Sequence, residues 1–149
     1  MQAIVLSRRA WRENDELITL FTYDLGKVQA KATGSKKITS KQSAHLEPAG
    51  VIECALIPGR EIQHIAKAQP IEYFPGLRLN LEKSQMVAYA LSLVERVTAE
   101  RSRDINFFWF LRHWLEHMEK TVNSAPRLLD GLVLGLLVHL GFKPELDAC

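Results

Sequence analysis

Cysteine is scarce in this chain. There are two, Cys54 inside a strand-like run and Cys149 at the last position, and two so placed make no disulfide framework. Long apolar runs are missing as well: none approaches the ~20 residues that a bilayer-spanning helix needs. The opening MQAIVLSRRAW lacks the charged start and extended apolar stretch of a secretory signal, so a cytoplasmic protein is expected. Net charge is small, +2 over 149 residues, and composition alone therefore does not point to nucleic acid. What remains is an ordinary globular balance, 47% hydrophobic, enough to bury a real core in one domain or two small ones.

One further absence is local. Between Leu25 and Leu46 there are five lysines (Lys27, Lys31, Lys36, Lys37, Lys41) and no Asp or Glu. The first half of this stretch alternates like a strand, with Val28, Ala30 and Ala32 on one side and Lys27, Gln29 and Lys31 on the other. From Gly34 to Ser43 there is no apolar period, and glycine, serine and lysine mark an exposed loop. A half-buried strand feeding a basic, acid-free loop suits a phosphate backbone; the plainer alternative is a solvated lysine-rich loop. Charge is unevenly spread: residues 1–80 hold eleven Lys/Arg against eight Asp/Glu (+3), residues 81–149 eight against nine (−1). The N-terminal excess is helped by Arg8, Arg9 and Arg12, and Trp11 among them is a candidate to stack on a base, or else a core residue.

The apolar pattern predicts strands at Ala3–Leu6, Leu17–Tyr23, Lys27–Thr33, Val51–Ile57 and Glu61–Gln69, with Arg8 to Glu16 a polar connection. Asp24-Leu25-Gly26 closes a hairpin, and Pro58-Gly59 is turn chemistry. Five short strands and one long connection fit a small barrel, either an OB-fold or an SH3-like one. From Asn80 the period becomes helical. Asn80 caps a helix with Val87, Leu91, Val94 and Thr98 on one stripe, and residues 102–104 break it. A second helix aligns Phe108, Leu111, Leu115, Met118 and Val122. A third, from Pro126 to Leu140, is apolar nearly all round and is expected to be a buried central helix; the Gly131/Gly135 spacing suggests close approach by a neighbour. Gly141 ends it, with Pro144 beyond. The expected class is α+β: a barrel domain at 1–79 and a helical domain at 80–149.

Catalytic patterns are thin. The run from Gly34 to Lys41 lacks the G-x-x-x-x-G-K-[ST] frame of a nucleotide-hydrolysing loop. His113-Trp-Leu-Glu-His117 matches the inverted zinc-peptidase pattern H-x-x-E-H, but no element supplying a third ligand follows, and a polar helix face produces such a pattern by chance. No enzyme is expected. Phe107, Phe108, Trp109, Phe110 and Trp114 are read as packing between barrel and helices, the alternative being a partner or base-stacking surface, and Cys54 as a small buried hydrophobe. His45, His64 and His139 have no spacing that implies a site.

Taken together, AIVL with Arg and Trp-x-Glu after it, LFTYDLGKVQAKATGSKK, the HLEP that closes the loop, and LLVHLGFKPELDAC resemble the RecO family of bacterial recombination mediators, in that family's order across nearly the whole chain. The resemblance implies an N-terminal OB-fold followed by a helical domain, binding of single- and double-stranded DNA, and annealing of complementary strands. It also implies action with RecR and with the single-stranded-DNA-binding protein SSB to load RecA. Its basic DNA-contact region falls on Arg8, Arg9, Lys27, Lys31, Lys36, Lys37 and Lys41. Many longer members carry a four-cysteine zinc site beginning near the motif that ends here in Cys149. A lone thiolate makes no structural zinc site, so no cofactor is expected in this chain, which looks like a fragment or a naturally short member. An incomplete helical part would leave apolar surface on the third helix and invite self-association. The alternative function is a protein-interaction module, an OB-like barrel on a helical platform that recruits an acidic tail or a helical partner.

Overall fold

The computed structural model describes residues 1–33, 43–122 and 126–142. Five strands, β1 (Gln2–Ala10), β2 (Glu16–Thr22), β3 (Gly26–Ala32), β4 (Val51–Ile57) and β5 (Gln63–Glu72), close into a barrel in the order β1-β2-β3-β5-β4. Neighbours are antiparallel except β3 and β5, which meet in a short parallel pairing at Ala30–Gln63 and Lys31–His64. This is the OB-fold order, so the choice left open by strand count falls against the SH3-like barrel.

The first strand is longer than its apolar run. Arg8 pairs with Ile18, Arg9 with Leu17 and Ala10 with Glu16, so the stretch read as a polar connection is largely strand. Backbone pairing rather than side-chain burial holds it. The register shifts between Val5 and Ser7, and such a bulge resets which residues face outward. β3 alternates as expected, with Val28, Ala30 and Ala32 buried and Lys27, Gln29 and Lys31 partly exposed.

Two apolar cores result. Ala3, Val5, Ile18, Leu20, Val28 and Ile52 fill the barrel together with Cys54, whose thiol burial pushes up to about 11. The second core lies outside the barrel, where Ile4, Leu6 and Phe21 meet the helices. Those helices are α1 (Pro75–Leu79), α2 (Leu81–Val97), α3 (Ile105–Lys120) and α4 (Pro126–His139). The cap of α2 is as expected, Asn80 accepting the Lys83 amide at 3.1 Å, and Asp104 does the same for α3 from Phe107 at 2.9 Å. The short α1 has no apolar period to announce it. Pro75 opens it, and both carboxylate oxygens of Glu119, on α3, accept its Gly76 and Leu77 amides at 2.8 Å.

Three helical expectations are corrected. Val122 is not on the buried stripe: α3 stops at Lys120, the Thr121 amide closes onto the His117 carbonyl, and Val122 is 89% exposed. The third helix of the sequence reading is not a buried centre. It packs on α3 and α2 through one side, burying Leu132 and Leu136, while Leu134 and Val138 lie open. Close approach occurs at one glycine of the pair. The Phe110 ring stands 2.2 Å from where a Gly135 Cβ would sit, whereas a Cβ on Gly131 meets nothing within 4 Å. Gly141, at φ +92°, closes the helix as expected. Pro144 and Cys149 fall outside the described residues.

Part of the aromatic cluster joins the two halves as anticipated, while Phe110 and Trp114 pack α3 on α4 instead. Phe21 of β2 meets Phe107 edge-on at 5.4 Å, and Tyr23 meets Phe108 at 5.6 Å. His139, at the end of α4, stacks on Phe107 at 4.6 Å and hydrogen-bonds Asp104. Burial works against the Asp104 carboxylate, but the Phe107 amide and His139 outweigh it, and its pKa lies below the usual 3.8.

Candidate nucleic-acid interface

The outer face of β1–β3 changes character along its length. At one end Ile4 pairs with Phe21, and the two are buried under the helices. Further along, the cross-strand rows become Ser7–Thr19–Gln29 and then Arg9–Leu17–Lys31. Polar rows offer a helix little apolar surface to cover, so α2 only borders this end: its Glu95 accepts from the buried Thr19 hydroxyl, while Arg9 beyond it stands open. Between this end and the C-terminal half of α2 runs a groove of about 600 Å³, lined on the barrel side by Ser7, Arg9, Thr19, Lys27 and Gln29 and on the helix side by Ser92, Glu95 and Arg96. In OB-folds the face of strands 2 and 3 and the adjoining loops is where oligonucleotides bind.

The residues singled out from sequence occupy different roles here. Arg8 lies on the Ile18–Ala30 row that faces the barrel interior, and its guanidinium is tied to Glu16 at 2.9 Å, Glu47 at 2.8 Å and Ser43. It clamps the start of the segment before β4 to the barrel. Arg9 is open to solvent, 58% exposed, and its terminal nitrogen lies 2.5 Å from Glu95. The Lys27 ammonium donates to the Glu95 and Thr98 carbonyls at 2.6 and 2.5 Å. That is a cation on the exposed carbonyls of a helix C-terminus, where the dipole favours it. Lys31 pairs with Asp15 at 3.1 Å. Trp11 stands 40% exposed beyond the end of β1. Lys36, Lys37 and Lys41 lie outside the described residues.

Sequence reasoning passed over the arginines in the last turn of α2 and in the α2–α3 connection. Arg96, Arg101 and Arg103 belong to the half of the chain with net negative charge, yet this connection folds back onto the β2–β3 hairpin: the Arg101 amide donates to the Lys27 carbonyl at 2.9 Å. All three side chains are exposed. The R-S-R spacing was visible; its place beside Lys27 is a tertiary fact. The H-x-x-E-H residues lie on the outer side of α3, where His113 stacks on Trp109 and Glu116 pairs with Arg112. Among the described residues no three His, Cys, Asp or Glu side chains converge on a point. No helix among them is long and apolar enough to cross a membrane.

Residues 1–74 match the family described as recombination protein O, N terminal, and residues 78–149 its C-terminal counterpart. The chain belongs to the recombination protein O family. Among its relatives, the DNA repair protein RecO of Alkaliphilus metalliredigens is 30% identical over 99% of this chain and 60% of its own length. That of Dehalococcoides mccartyi is 34% identical over 99% and 58%, and that of Desulforudis audaxviator 32% over 99% and 59%. The chain thus spans about three-fifths of the length of these curated RecO relatives.

Proposed function

We propose that this chain is a non-enzymatic DNA-binding protein of DNA repair that holds single- and double-stranded DNA by its phosphates, with little sequence preference. The supporting observations are the polar end of the OB face, a groove carrying Arg9, Lys27 and Arg96, and the sequence between Leu25 and Leu46, which has lysines and no acids. Arg9, Trp11, Lys31, Lys36, Lys37 and Lys41 are the contacts in this reading, with Arg8 and Lys27 shaping the surface they stand on. Phosphate contacts fix position without reading bases. Annealing then follows as charge neutralisation, two mutually repelling strands gathered on one basic surface. Action in the cytoplasm with RecR and SSB to load RecA extends the reading through the family, and the exposed side of α4 offers a surface for self-association.

Lys36→Ala/Lys37→Ala is expected to weaken binding of a labelled oligonucleotide about tenfold at low salt, and equally for two unrelated sequences. Fluorescence anisotropy reads this. Loss on one sequence alone would contradict the phosphate mechanism. Binding that an acidic peptide displaces and DNA does not would favour the interaction module.

A further inference from the structure

We propose that Glu95 is the built-in competitor of a nucleic-acid phosphate in the groove between β1–β3 and α2, a specificity-determining residue that holds Arg9 until a phosphodiester takes the place of its carboxylate. The inference rests on the DNA-binding reading and adds to it the position of one phosphate.

One oxygen of Glu95, Oε1, accepts from the Arg9 guanidinium at 2.5 Å and from the Thr19 hydroxyl at 3.1 Å. A guanidinium and a hydroxyl converging on one anionic oxygen is the arrangement that also recognises a phosphate oxygen. Two more donors stand close by. Arg96, the next residue on α2, lines the same groove and forms no ion pair among the described residues. Ser7, beside Thr19 in the neighbouring strand, has its hydroxyl buried in the groove wall without a hydrogen-bond partner among the described residues.

The two ends of Glu95 are held differently, and this makes exchange feasible. Its main chain is fixed: the carbonyl accepts from the Lys27 ammonium, which also takes Thr98, so the C-terminus of α2 stays on the barrel whatever the side chain does. Its carboxylate, on a side chain that is 18% exposed, is held by Thr19 from within and by Arg9 from a side chain that is 58% exposed, and the Arg9 side of the pair is open to exchange with an incoming phosphate. While Glu95 is in place the groove carries two carboxylates, Glu95 and Glu100, against Arg9, Lys27 and Arg96. A weak or isolated anion meets repulsion there. A strand already held by neighbouring phosphates gains Arg9 when it displaces the carboxylate.

The test is Glu95→Gln, which keeps the side-chain shape and an acceptor for Thr19 but removes the charge. Anisotropy of a labelled oligothymidine is measured across a salt series for wild type, Glu95→Gln, and Glu95→Gln/Arg9→Ala, with thermal melts confirming the fold and Glu95→Ala as a second variant. Glu95→Gln should bind about fivefold more tightly at low salt, with a log–log salt slope steeper by roughly 0.7, one more phosphate neutralised on a single strand. Adding Arg9→Ala should cancel both gains. A folded Glu95→Gln or Glu95→Ala protein that binds as wild type does, or less well, would show Glu95 to be a strut between helix and barrel, and would leave the DNA-binding reading standing. Absence of binding by wild type and Glu95→Gln alike at low salt would overturn both.

Discussion

Phe21→Ala should cost about 4 kcal/mol of folding stability, in the range for an aromatic ring removed from a core. Phe21 points outward from β2, is fully buried, and meets Phe107 edge-on at 5.4 Å and His139 at 6.4 Å. The ring therefore sits where barrel and helices share one core, and removing it opens a cavity that neither half can close by shifting alone. Urea unfolding followed by tryptophan fluorescence and by helical circular dichroism should give one shifted transition for both signals. Phe142→Ala, at a ring 64% exposed, should fall within about 0.5 kcal/mol of wild type. A loss below about 1.5 kcal/mol for Phe21→Ala, well under the usual core value, would mean that the contact between the halves is not a continuous core.

Gly26→Ala is the second large effect, expected at about 3 kcal/mol from a left-handed backbone combined with a backbone clash. Gly26 has φ +73°, and a Cβ there would lie 2.2 Å from the Ser102 carbonyl oxygen and 2.6 Å from its carbon. Those are backbone atoms of the α2–α3 connection, so no side chain can swing aside. The connection itself is anchored next door, by the Arg101 amide on the Lys27 carbonyl. Forcing it away should loosen the grip of Lys27 on the end of α2 and widen the groove. The informative comparison is Gly131→Ala, where the new methyl meets nothing within 4 Å. In a helix interior that exchange should stabilise by about 0.5–1 kcal/mol. Equal effects at the two glycines, read as urea midpoints, would refute the account of Gly26.

These contrasts show what the sequence carried. Period-two alternation located β3 because its inward positions are uniformly apolar, and the Asn80 cap is local chemistry; the Asp104 cap is equally local but was read only as part of a helix break. β1 was read too short because its second half is held by backbone pairs to β2, which leave no apolar trace in Arg8 and Arg9. The third helix was read as central because its composition is apolar on every side. Which side is covered depends on where α2 and α3 lie, and composition does not encode that. The candidate interface was half legible. The basic, acid-free stretch stands out along the chain. The pairing of Arg9 with Glu95 joins residues 86 apart in sequence, and Arg96, Arg101 and Arg103 reach the hairpin only through the fold. Charge counting also could not tell an arginine facing solvent from Arg8, whose guanidinium is tied to Glu16 and Glu47.

The claim that the open end of the barrel face holds a phosphate backbone is tested most directly by titrating this chain into a labelled single-stranded oligonucleotide across a salt series. With about five phosphates neutralised, log K should fall against log salt with a slope near −3.5, at roughly −0.7 per phosphate. A slope near zero, or no binding at low salt, would contradict the account.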